Sequence, residues 1–113
     1  MISGAHVIIG SEDSDADRAF LRDVLGLDSV DAGGGWLIFG LPPSEVAVHP
    51  GKAGDHQLFL ICDDLDAVLA KLSEAGATIK ERPSEQSWGT VATFLLPGGS
   101  ELGIYKPTHP RPH

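Results

Sequence analysis

The feature that most restricts this chain is an internal repeat. His6 and His56 lie 50 residues apart, as do Gly26 and Gly76, and each His precedes its Gly by 20 residues. With two residues inserted in the second half, Trp36 aligns with Trp88 and His49 with Glu101, each Trp preceding its polar partner by 13 residues. A period of this length means that one supersecondary unit is used twice.

The unit can be read residue by residue. GAHVIIG, residues 4–10, is a short β-branched run closed by glycine and predicts a buried strand. Ser14 with Asp17 forms a capping box. Ala16, Phe20, Leu21, Val24 and Leu25 then recur at helical spacing until Gly26 supplies a left-handed stop. Gly33 to Gly35 predict a turn, Trp36 to Phe39 a strand, and Glu45 to His49 another strand after Pro42 and Pro43.

PGKAGD, residues 50–55, is the candidate linker, and the order then restarts. HQLFLIC, residues 56–62, predicts a strand. Asp63 or Asp64 caps a helix whose apolar stripe is Leu65, Val68, Leu69, Leu72 and Ala75, ending at Gly76. Ala77 to Lys80 form a possible short strand, Gly89 to Leu96 a clear one, and Leu102 to Tyr105 the last, after the Pro97-Gly98-Gly99 turn. The tail, KPTHPRPH, reads as extended or disordered.

The expectation is therefore one α+β domain spanning residues 1–113. It comprises two tandem β-α-β-β-β modules, 4–49 and 56–106, and a tail, 107–113. A chain of 113 residues with 42% hydrophobic content can bury a core without staples. Its single cysteine, Cys62, excludes an intramolecular disulfide and gives secretion no support. A net charge of −8, with Lys106 and Arg111 as the only basic cluster, argues against nucleic-acid binding. No apolar run approaches membrane-spanning length and no export signal opens the chain, so the expected location is cytoplasmic.

The phrases GAHVIIGSEDSDADRAFLRDVLGL, DHQLFLICDDLDAVLAKLSEAGA and SWGTVATFLLPGGSELGIY, in this order and spacing, resemble the vicinal oxygen chelate superfamily of glyoxalases, bleomycin-resistance proteins and extradiol dioxygenases. The resemblance covers roughly residues 4–106. It implies a cupped mixed sheet with the helices outside and a site in the hollow. It also implies metal ligands from the first and last strands of each module, at His6, His49, His56 and Glu101. Nitrogen and carboxylate donors suit zinc, iron, manganese, cobalt or nickel, with open positions for substrate oxygens. Glu101 and Tyr105 are then the candidate catalytic residues, Tyr105 as a proton carrier.

The pattern departs from the family at one point. The last-strand glutamate usually follows a proline-x-glycine turn by four residues, and that count reaches Gly103. Glu101 lies on the same face one pleat away, roughly 6.5 Å. Two functions follow from the resemblance. One is a metal-dependent isomerase, lyase or dioxygenase acting on a small oxygenated substrate. The other is a metal-free protein that sequesters a ligand, for which the acidic surface favours a cation. The resemblance further implies a homodimer. Each candidate also has an ordinary structural role: strand histidines bonded to backbone, a solvated Glu101, tryptophans packed on a sheet, and Cys62 as a core thiol.

Overall fold

The computed structural model describes residues 7–44, 47, 50, 53 and 56–110. Among these residues two helices, α1 (Ser14–Asp23) and α2 (Leu65–Glu74), accompany six strands. A hairpin of β1 (Ser29–Asp31) and β2 (Leu37–Phe39) follows α1, and Asp31 Oδ1 closes its turn by accepting from the Gly33 N–H at 2.7 Å. The second half supplies β3 (Phe59–Ile61), β4 (Ile79–Gln86), β5 (Gly89–Leu95) and β6 (Glu101–Pro107). These form a four-stranded mixed sheet in the order β3-β6-β5-β4, with β3 parallel to β6 and the other pairs antiparallel. The α+β class expected from the sequence is therefore observed.

Both helices start at an aspartate whose carboxylate receives a backbone N–H three residues on. Asp13 accepts from Ala16 at 3.1 Å and Asp64 from Ala67 at 3.0 Å. The first cap lies one residue before the expected Ser14, because Asp17 is used elsewhere. Gly26 and Gly76 end the helices at φ +69° and +79°, where a Cβ would be strained.

Strand periodicity separates the sheet into two faces. Ala92, Phe94, Leu102 and Ile104 point toward the helices and form the core with Phe20, Leu65 and Leu72. Phe20 stacks on Phe94 with ring centroids 6.3 Å apart, which seats α1 on the same side as α2. Asp17 is buried on α1 and reaches across the chain, its Oδ1 accepting from the Gly98 N–H at 2.6 Å. Gly98 must lack a side chain for this approach, since a Cβ there would stand 2.7 Å from Asp17 Oδ2.

Several expectations change. The predicted strand at 4–10 is described only from Val7, and Val7 to Gly10 carry no strand ladder. They rest instead against the second half, where Ser100 donates to the Gly10 carbonyl and Ile9 packs on the core. The predicted strand at 45–49 and most of the linker lie outside the described residues. β1 was not anticipated. β4 extends well beyond Lys80 despite Pro83, as an edge strand with register shifts permits. The start of the tail is tied down: Lys106 and Pro107 finish β6, and Thr108 donates to the Trp88 carbonyl at 3.0 Å. Among the described residues no helix is long and apolar enough to cross a membrane.

Candidate functional site

The face of the sheet turned away from the helices carries the candidate site. Register arranges it in rows across the strands. Phe59, Gly103 and Thr93 are partners in one row, and Ile61, Tyr105 and Val91 in the next. On the other side of the first row, Glu101 pairs with Leu95.

Gly103 is the centre of this grid. A Cβ placed on it would overlap the Phe59 ring, so the ring lies against the bare backbone at that position. Thr93, on the opposite side of Gly103, is buried, and its Oγ1 has no hydrogen-bond partner among the described residues. Tyr105 is also buried. The rings of Phe59 and Trp88 meet it edge to face at centroid distances of 6.1 and 5.3 Å. Its hydroxyl lies 3.4 Å from His109 Nε2, while His109 Nδ1 is 2.8 Å from the Pro110 carbonyl. Because a carbonyl only accepts, Nδ1 carries the proton that bonds to Pro110.

Glu101 opens β6 and is held by a lysine. Lys80 Nζ donates to its Oε2 at 2.7 Å, across the intervening strand β5. The hydrogen bond and then the charge of Glu101 raise the Lys80 pKa above the ordinary lysine value. Glu101 also lines a cleft of about 440 Å³ with His56, Gln57, Leu58, Ser100, Leu102 and the segment Val7 to Ile9.

Of the expected ligand set, His6 and His49 lie outside the described residues. His56 is exposed just before β3 and shares the cleft with Glu101, whose carboxylate is already engaged by an ammonium. The neighbouring position, where the family pattern places a carboxylate, is a glycine against a phenylalanine ring. Among the described residues no three His, Cys, Asp or Glu side chains are grouped closely enough to hold a metal ion. The two described members of the set, His56 and Glu101, do not by themselves make a divalent site.

Trp36 stands apart from the aromatic cluster in character: it is 68% exposed, with the Arg18 guanidinium 5.0 Å over its ring. Cys62 packs against the core and its thiol lies 3.6 Å from the Tyr105 carbonyl. Burial, with the nearby charges of Asp63 and Asp64, pushes that thiol pKa up.

Sequence reasoning missed Lys80, Phe59 and Thr93. Phe59 sits in an apolar run that reads as core, and only its pairing with Gly103 puts it on the open face. Lys80 carries no signal, since 21 residues separate it from Glu101. His109, set aside with the tail, is instead packed near Tyr105, with ring centroids 6.1 Å apart.

A family model described as the Glyoxalase/Bleomycin resistance protein/Dioxygenase superfamily matches residues 4–104. No curated protein matches the chain. Among solved structures, TnmS3, an antibiotic binding protein from Streptomyces sp. CB03234, is similar at 25% identity and a TM-score of 0.73, over 95% of this chain and 98% of that one. A glyoxalase/bleomycin resistance protein from the same organism is 25% identical over 86% and 94% of the two chains, with a TM-score of 0.63. A lactoylglutathione lyase from Agrobacterium tumefaciens shares the fold at 18% identity, covering 92% of each chain, with a TM-score of 0.67.

Proposed function

The chain belongs to the Glyoxalase/Bleomycin resistance protein/Dioxygenase superfamily, and from that premise we propose that it is a metal-free protein that binds and sequesters a small molecule on the open face of its sheet. The observation that carries this reading is the state of the two carboxylate positions: Glu101 is paired with Lys80, and Gly103 is occupied by the Phe59 ring. With Oε2 of Glu101 bonded to an ammonium, only Oε1 is left for a metal, and a glycine offers no side-chain donor.

What remains on the face suits ligand binding. Phe59, Trp88 and Tyr105 provide apolar rings, Thr93 and the Lys80–Glu101 pair provide a few polar groups, and such a mixture is the usual make-up of a small-molecule site. The similarity to an antibiotic binding protein supports the same reading. The net charge of −8 favours a cationic ligand. A homodimer of two-module chains forms part of the proposal. Its support is the exposed apolar surface at Val30, Trp36 and Ile38 on and beside the hairpin.

The test is thermal melting with and without a cationic glycopeptide. Stabilisation that survives the combined His6→Ala and His56→Ala substitutions is expected. Binding abolished by that pair of substitutions would return the histidines to a ligating role and overturn the reading.

A further inference from the structure

Two features stand out on the sheet face turned away from the helices. Thr93 is only 9% exposed and its hydroxyl oxygen is buried, yet that oxygen has no partner among the described residues, and leaving such a group unpaired costs free energy. Directly across Gly103 from it, the Phe59 ring lies where any side chain on Gly103 would stand. The Phe59 ring thus covers the bare Gly103 backbone, with the unpaired Thr93 hydroxyl on the far side of that glycine and the Tyr105 ring meeting Phe59 edge to face.

We infer that Phe59 is an internal plug for an aromatic-ring seat, and that the ligand is a planar aromatic molecule whose ring displaces Phe59 over Gly103 and places a hydroxyl or carbonyl oxygen on Thr93 Oγ1. This rests on the ligand-binding reading above and names the chemistry of the ligand. Phe59 is suited to move: it begins β3, a three-residue strand at the sheet edge, and it is only half-buried. Rotation about its side-chain bonds is fast compared with any backbone change. A ligand ring in its place keeps the edge-to-face contact with Tyr105. The oxygen gives Thr93 the partner it lacks, and this is what separates the intended ligand from a plain hydrocarbon ring. An aliphatic chain would fill the seat without the edge-to-face geometry and without satisfying the hydroxyl.

The experiment compares 1-naphthol with naphthalene, by fluorescence titration, on wild type, Thr93→Val and Phe59→Ala, with circular dichroism and melting curves to confirm folding. Wild type is expected to bind the naphthol roughly tenfold tighter than the hydrocarbon, the weight of one hydrogen bond to an otherwise unpaired group. Thr93→Val, which preserves shape, should abolish that preference while leaving naphthalene binding unchanged. Phe59→Ala should tighten both probes, since no ring has to be displaced. A preference that persists in Thr93→Val overturns the inference. So does weaker binding in Phe59→Ala, which would make Phe59 a fixed wall, and so does a wild type that binds neither probe. The glycopeptide melting test uses neither Phe59 nor Thr93 as its readout, so the seat can fail while the broader reading stands, and the reverse.

Discussion

Gly103 decides what the open face can do, because its missing Cβ is what lets Phe59 lie there. Restoring a carboxylate at this position by Gly103→Glu forces the new side chain into the ring. We expect a loss of about 1–3 kcal/mol in urea denaturation, the usual scale of overpacking. The double variant Gly103→Glu with Phe59→Ala should recover much of it. A Gly103→Glu protein of unchanged stability would show that the ring yields freely. Lys80 offers a pH test with a definite sign. Glu101 raises its folded-state pKa, so the pair's contribution is complete below the ordinary lysine value and fades as pH rises through the raised one. The effect is small, because both side chains are substantially exposed and solvent screens them. A Glu101→Gln variant should lose this alkaline dependence in urea midpoints. Cys62, with its thiol pKa raised by burial and flanking aspartates, should alkylate more slowly than a free cysteine at mildly alkaline pH, as thiol titration will read.

At the level of elements, the α1 connection to the closing turn rests on Asp17. Asp17→Ala leaves the Gly98 N–H unpaired and should cost about 1–3 kcal/mol, whereas Asp13→Ala, which removes only an exposed cap, should cost about 1 kcal/mol. Equal losses would mean that the long-range tie adds nothing beyond a cap. These two aspartates also show what local pattern can and cannot tell. The helices, their aspartate starts and their glycine stops were legible because capping and periodicity are local. Strands β5 and β6 were legible from alternation beside a proline-glycine turn. The cap was misplaced by one residue because Asp17 is recruited by a glycine 81 positions away, a contact with no trace in spacing. β4 was underestimated for a related reason. As an exposed edge strand it has no apolar alternation to announce it, and only its pairing with β5 defines it. At the site, Glu101 and Tyr105 were placed correctly on one face by parity. Their partners Lys80 and His109 were not foreseen, since side-chain pairing across strands is set by register rather than by sequence distance.

For the whole molecule, a family fold carries a sheet face on which Glu101 is paired with Lys80 and the Phe59, Trp88 and Tyr105 rings gather. The assembly follows from the same surface argument: Val30 and Ile38 are directly paired on the hairpin and both exposed, at 67% and 43%. A two-stranded hairpin is marginal alone in water. Light scattering is expected to give twice the 11.9 kDa chain mass, and a stable monomer at micromolar concentration would remove the homodimer from the proposal. The most direct test of the central claim is elemental analysis of untagged protein after separate reconstitution with zinc, iron, manganese, cobalt and nickel, paired with melting in the presence and absence of a chelator. We expect no stoichiometric metal and an unchanged melting curve. One equivalent of any of these ions per chain, with a melting temperature that falls on chelation, would contradict it.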